Sequence, residues 1–225
     1  MPEMTAACRL SAFRCLLARD TRGAVIIEFA LALPILLMLL LGGLEIANLT
    51  VTHMRINQIA ISLADNASRL KQQTIGGAPQ VREYDVNEAF KAAELQGADL
   101  NLMQNGRLFL SSLETNAEGG QWIHWQRCKG VLTAYQSSYG VEGDGATGTS
   151  FPGMGPADER VTVEPGGAIM VAEVVYRYQP LIGGRWAFGD FTIRKYAAMY
   201  VRDDRDLSGA GIFNPAPQAS VSGCV

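Results

Sequence analysis

From Ala24 to Leu44 the chain runs for about 21 residues of mostly Leu, Ile, Ala and Val, with one charge among them, Glu28. At about 1.5 Å per residue, a helix of that length covers the roughly 30 Å hydrocarbon core of a bilayer. The run has no polar face, which sets it apart from the helix of a soluble core. Pro34 would kink most soluble helices, but spanning helices tolerate proline because neighbouring groups satisfy the freed carbonyl. Gly42 and Gly43 loosen the far end, and Glu45 marks the water boundary.

Beyond Ala47 the pattern becomes periodic. Leu49, Thr52, Ile56, Ile59, Leu63 and Leu70 recur at three- and four-residue steps, with Asn57, Gln58, Asp65 and Arg69 elsewhere on the wheel. One apolar stripe predicts an amphipathic helix over 48–71. Continuous from Ala24 to Leu70, it would be about 70 Å long. Its outer half either covers the globular domain or packs on helices of other subunits; the first is the reading adopted. The stripe has too few turns for a coiled coil.

Residues 72–225 read as an α+β domain. Gln72 to Pro79 is a loop; Asp85-Val86-Asn87-Glu88 is an N-capping pattern that opens a short helix through Ala89, Phe90, Ala92, Ala93 and Leu95. Arg107–Thr115 and Gln121–Lys129 predict two strands around a Gly119-Gly120 turn. Ala168–Leu181 alternates, with Met170, Ala172, Val174, Tyr176 and Tyr178 on one face and Glu173, Arg177 and Gln179 on the other. Phe191–Arg202 alternates likewise, with Phe191, Ile193, Ala197, Met199 and Val201 together. With Val161–Val163, this predicts an antiparallel sheet of about four strands. The Gly/Pro-dense 140–167 stretch reads as a long flexible loop interrupted at Val161, and 203–225 as a flexible tail. No internal repeat is evident, and the length after the helix suits one modest core.

Charge sets the orientation. Arg9, Arg14, Arg19 and Arg22 precede the span against Glu3 and Asp20, so a net charge of -3 hides a basic leader of +2 over residues 1–23. After the span the nearest basic residue is Arg55. The positive-inside bias places the N-terminus in the cytoplasm and the domain beyond Ala47 outside the inner membrane, in the periplasm. Nothing in the balance suggests a nucleic-acid partner. Glu45 disfavours a small-x-small signal-peptidase cut after Ala47, whereas cleavage before the apolar run stays open.

The basic leader, a glycine, four apolar residues, Glu28-Phe29 and a long apolar helix resemble the processing site of type IV prepilins. More closely, RGAVIIEFALALPILLMLLLGGLEIANL is similar to the N-terminal segment of TadE/TadG-like pilus-assembly proteins, pseudopilins and minor components of tight-adherence, Flp-type pili. Arg22, Gly23, Glu28-Phe29, Pro34, the run to Gly42 and Glu45 carry the resemblance, strongly over residues 19–70. VAEVVYRYQPLIGG and FTIRKYAAMYVRDD resemble closing strands of that family.

The resemblance implies a pilin-like fold, a prepilin peptidase cutting between Gly23 and Ala24, and Glu28 as fifth residue of the mature chain. Glu28 and Phe29 would serve recognition and subunit docking. A new α-amine on one subunit could pair with Glu28 of the next, offsetting the roughly 2.5–3.5 kcal/mol insertion cost of an intramembrane charge. Alternatively, Glu28, about 7 Å from the helix start, reaches back to the headgroups. Partners would be inner-membrane lipid, the peptidase, other pilin or pseudopilin subunits and the assembly machinery.

Four cysteines divide between compartments. Cys8 and Cys15 lie in the leader; Cys128 and Cys224 lie outside, where disulfides persist. Bonding between Cys128 and Cys224 is the simplest connectivity, closing a loop of about 100 residues for some 3–5 kcal/mol. Free thiols or an intersubunit link remain the alternatives.

No catalytic constellation emerges, and no enzyme activity, cofactor, metal or small-molecule substrate is expected. His53 and His124 are the only histidines and lack metal-ligand spacing. Asp203-Asp204-Arg205-Asp206 lacks the calcium-loop pattern and reads as a solvated charge run; Glu142-Gly143-Asp144-Gly145 is as weak. Trp122, Trp125 and Trp186 suit core packing better than sugar binding. The expected function is therefore structural, with an uncleaved signal-anchored periplasmic binding or sensing module as the alternative.

Overall fold

The computed structural model describes residues 23–71, 77–184, 189–202 and 205–224. The basic leader with Cys8 and Cys15, and the features read at Trp186 and Asp203-Asp204, lie outside the described residues. The elements are helix α1 (Ala24–Ser68), helix α2 (Glu83–Gln96), a 3-10 turn (Ala98–Leu100), a single-turn helix α3 (Leu102–Asn105), and strands β1 (Gly106–Thr115), β2 (Gln121–Lys129), β3 (Ala168–Arg177) and β4 (Thr192–Tyr200). The fold is α+β: a long N-terminal apolar helix followed by a four-stranded antiparallel sheet.

The chain divides into two units, residues 1–47 and 48–225. In the first, α1 carries its apolar side chains outward, with Val25 71% and Met38 76% exposed. Pro34 lies inside the helix without ending it. Among the described residues, α1 is the one helix long and apolar enough to cross a membrane.

In the second unit the stripe of α1 faces the core. Thr52, Ile56, Ile59 and Leu63 are buried, and so are Ala60, Ala64 and Ala67, whose small side chains let the helix backbone sit close to its neighbours. The helix ends at Ser68, two residues short of Leu70. The Arg69 and Leu70 amides bond back three residues, to Asn66 and Ala67 carbonyls, which tightens the last turn. Arg205 closes this end: its Nη2 donates to the carbonyls of Ser68 at 3.2 Å and Leu70 at 2.7 Å. A cation there also complements the negative end of the helix dipole. Arg205 and Asp206 are therefore not a solvated run; Asp206 accepts from Ser208 and Gln80.

Helix α2 starts earlier than its capping pattern suggested. Arg82 is the N-cap and Asp85 the third helical residue. The Asp85 carboxylate reaches back to the Arg82 amide at 3.3 Å and to its guanidinium at 2.8 Å. The reaching-back half of a capping box is thus supplied by an acid at the third position.

The sheet has the order β2-β1-β3-β4, antiparallel throughout. β3 ends at Arg177 rather than Leu181, since Pro180 has no amide to give a ladder. Val161 makes an isolated bridge to Met154, outside the sheet. One sheet face presents Leu108, Leu110, Met170, Ala172, Val174, Tyr176 and Ile193 to the core that α1 and α2 complete. The other face is covered too. Tyr139, Phe151, Met154, Val161 and Val163, from the irregular 131–167 segment, pack on Leu113, Ile123, Ile169 and Val171. That cover explains why Glu173, on the polar side of β3, is 3% exposed. It accepts from the Ser138 amide at 2.9 Å and Arg194 at 2.8 Å, and so pins the segment down. Gly145 fits here because its φ is +78° and an added Cβ would run into the Gln121 carbonyl.

A bulge interrupts β2: Ser112 pairs with Trp125 and Leu113 with Ile123, which leaves His124 extra. Strict alternation would put Ile123 and Trp125 on one face; the added residue separates them. Ile123 joins the cluster under the 131–167 segment, and Trp125 the helix-side core.

Candidate functional site

The helix start supplies the residues that the prepilin resemblance singles out. Gly23 is exposed, and an added Cβ there would meet nothing within 4 Å. Ala24 opens α1, and Glu28 lies four residues on, so both share one face of the helix. Glu28 is exposed, and Phe29 is 64% exposed beside Val25, Ile26 and Leu31. A carboxylate one turn from the first residue, within an outward-facing apolar surface, can accept from a cation that arrives from outside this chain. In lipid such a charge needs that partner or access to the headgroups.

Three polar arrangements in the second unit were not visible in the sequence pattern. At the bulge, His124 Nδ1 lies 2.7 Å from Glu114 Oε2 and its Nε2 3.1 Å from the Gly209 carbonyl. Both partners offer oxygen acceptors, so the site suits an imidazolium that donates from both ring nitrogens. Burial alone would lower its pKa; the Glu114 carboxylate, the Gly209 carbonyl and nearby Glu142 outweigh that and raise it above 6.5. Ser112 donates to the other Glu114 oxygen at 2.6 Å, and Trp122 stacks on the imidazole at 4.2 Å. Gly211, at φ +65°, passes so close that a Cβ would stand 2.7 Å from Nδ1. The order Ser112–Glu114–His124 puts the carboxylate and not the imidazole beside the hydroxyl, and Ser112 is fully buried, so the arrangement is not that of a serine–histidine–acid triad and serves to hold the tail.

On the same strand Arg127 meets Glu83, and its Nη1 donates to Glu142 at 3.0 Å. Next to it, Cys128 and Cys224 are joined in a disulfide with Cα atoms 4.9 Å apart, and the Cys128 amide donates to the Ser222 carbonyl. With Ile123 bonded to Asp144, the outer edge of β2 is covered by loop and tail. Arg107 is the third: 2% exposed, its Nη2 donates to the Cys224 carbonyl at 3.2 Å and burial lowers its pKa.

The remaining sequence candidates are used structurally. Trp125 is in the core, Asp144 accepts from the Val141 amide, and His53 packs on Phe191 with ring centroids 5.8 Å apart. His53 and His124 are not brought together, and the described residues contain no group of three or more His, Cys, Asp or Glu placed to hold a metal.

Comparison with known families adds one match: residues 23–64 fit the family model described as TadE-like protein. This segment is TadE-like. The match opens at Gly23 and covers Glu28, Phe29, Pro34 and the start of the buried stripe. The long apolar helix suits membrane anchoring. Neither a curated protein nor a solved structure matches the chain.

Proposed function

We propose that this protein is a minor pilin or pseudopilin of a tight-adherence, type IV-like pilus. Residues 24–47 cross the inner membrane with the N-terminus in the cytoplasm, and the α+β domain is periplasmic. A prepilin peptidase removes residues 1–23 by cutting between Gly23 and Ala24. The α-amine that this frees pairs with Glu28 of an adjoining subunit, and Phe29 packs beside it.

The observation that carries the reading is the coincidence of the TadE-like match with the helix start. Gly23, Ala24, Glu28 and Phe29 fall together at the start of a 45-residue helix whose first part is apolar outside except for Glu28 and whose second part buries one stripe. The disulfide between Cys128 and Cys224 supports placing the domain in an oxidising compartment.

N-terminal sequencing of the membrane-extracted protein, made in cells that hold the peptidase, tests it. Ala24 as first residue is the expected result. Met1 as first residue would move the assignment to an uncleaved, signal-anchored periplasmic module.

A further inference from the structure

The two outer edges of the sheet are treated differently. Loop and tail cover β2, whereas β4 pairs with β3 in unbroken register from Thr192 to Tyr200 and, among the described residues, has no strand beyond it. The Tyr178 amide donates to the Phe191 carbonyl and the Val201 amide to the Ala168 carbonyl, which sets the alternation. Residues 193, 195, 197 and 199 turn their amides and carbonyls to β3; Thr192, Arg194, Tyr196, Ala198 and Tyr200 turn theirs outward. Among the described residues nothing bonds to the backbone of that outward row. The edge is about 30 Å long and has neither a bulge nor a proline. Four of its five outward residues have their side chains held by the 131–167 segment. Tyr135 holds Thr192, Ser138 holds Arg194, and the Glu159 and Thr162 carbonyls hold Tyr196 and Tyr200. The edge is therefore both open and fixed in an extended shape.

We propose that this edge takes up an extended segment of a partner chain as a fifth strand, one that carries an acid opposite Lys195 and apolar side chains beside it. The alternation puts Lys195 on the α1 side of the sheet with Ile193 and Ala197. Burial first, and then the charge of Lys195, lowers the His53 pKa, which fits an ammonium lying towards α1. Among the described residues that ammonium has no ion pair and no hydrogen bond, whereas Arg194 is already paired with Glu173. On α1, His53 packs on Phe191, and Asp65 shares an open cavity of about 250 Å³ with Met199 and Tyr200. Asn57 and Ile61 lie between them at four-residue steps, so this flank of the helix borders β4, and Ile61 is 41% exposed. A fifth strand would lay its α1-side side chains against Lys195 and Ile61. A lysine on an edge discourages indiscriminate pairing and so selects a strand that answers its charge. A second copy of β4 would bring two more cations and no acid to the ladder, which is why the occupant is a different, acidic segment.

The test uses the full chain in detergent and a fluorescent nine-residue peptide matched to the length of β4. In the peptide threonine alternates with valine, and glutamate replaces the valine that falls opposite Lys195. Anisotropy measures binding, and hydrogen exchange reports on the amides of residues 192–200, whose exchange should slow when the peptide binds. N-methylation of the threonines, whose amides would face β4, should weaken binding at least about tenfold. N-methylation of the valines, whose amides would face away, should be tolerated. The protein is unchanged in this series, so misfolding does not enter. Replacing the peptide's glutamate by lysine should cost about two- to fivefold, and Lys195→Glu should reverse that preference. An acidic peptide that fails to bind, or binds without protecting residues 192–200, overturns the proposal. So does equal loss in the two methylation series, or a charge preference that Lys195→Glu leaves unmoved. Protection of the same amides in a dimer of the chain without peptide would give the edge to a second copy, which overturns it as well. None of these readouts depends on leader cleavage.

Discussion

Arg127 Nη2 lies 2.6 Å from Glu83 Oε1, and its Nε lies 2.9 Å from the same oxygen, so the edge strand grips the first residue of α2. The Glu83 side chain is 3% and the Arg127 side chain 11% exposed. Neither charge has much water to fall back on. Arg127→Met would strand a buried carboxylate, and breaking such a pair costs on the order of 3–5 kcal/mol. The thermal midpoint of the detergent-solubilised chain should fall clearly in Arg127→Met and recover in the double variant with Glu83→Met. Equal loss in single and double variants would show that packing, not pairing, is what the contact supplies.

The His124 clamp makes tail attachment depend on pH. Its folded pKa is raised above the unfolded value near 6.5, so the stabilisation is complete below about pH 6.5 and fades as pH rises through the folded pKa. His124→Gln keeps a polar side chain but cannot carry the charge. The midpoint gap between parent and His124→Gln should be widest in acid and narrow steadily above neutrality. A gap that stays constant with pH would show that the ring acts by shape alone.

The tail bond can be told from a link between subunits. Cys224→Ser should lower stability by about 3–5 kcal/mol in the chain-entropy picture, because Cys128 and Cys224 close a loop with a sequence separation of 96. On non-reducing gels the parent should run as a compact monomer that slows after reduction, and Cys224→Ser should match the reduced form. A dithiothreitol-sensitive band at twice the mass would assign the bond to two chains instead.

The proposed scissile position admits a sharp substitution. Gly23→Leu adds a bulky side chain where nothing in the structure crowds the site. Folding should be untouched and peptidase access lost. Intact mass should then show residues 1–23 retained in the variant and absent from the parent; leader loss at the parental rate would place the cut elsewhere.

How much of this was legible beforehand follows from which residues repeat. The stripe through Ile56, Ile59 and Leu63, and the alternation through Met170, Ala172 and Val174, are periodic, and they gave α1 and the four strands, although β3 stops four residues early and Val161–Val163 lies outside the sheet. The polar contacts are not periodic. Glu83 and Arg127 are 44 residues apart, and Arg205 caps a helix from 135 residues beyond Leu70. No local pattern links such partners; only the fold brings them together. The nearest thing to a signal was misplaced polarity: Arg107, Glu114 and Arg127 sit inside strand patterns and are buried. The tail and the 140–167 stretch are rich in Gly and Pro, so their apolar anchors, Phe151, Met154 and Val163, were too sparse to announce a second packed layer.

Glu28 separates two physical readings. If it only reaches back to the headgroups, the charge is already solvated and serves no partner, so removing it should leave membrane insertion and association intact. If it pairs with the α-amine of an adjoining subunit, the charge is needed for association and its loss leaves that amine unpartnered in lipid. Glu28→Gln, which keeps size and hydrogen bonding, should then fail nearly as badly as Glu28→Ala. Both variants should still lose their leader, since Gly23 and Ala24 are unchanged. The measurement is site-specific cross-linking between mature subunits in membranes, together with counts of surface filaments. Cleaved Glu28→Ala chains that cross-link and build filaments like the parent would rule out the pairing, while cleaved chains that stay monomeric would place the docking contact at this carboxylate.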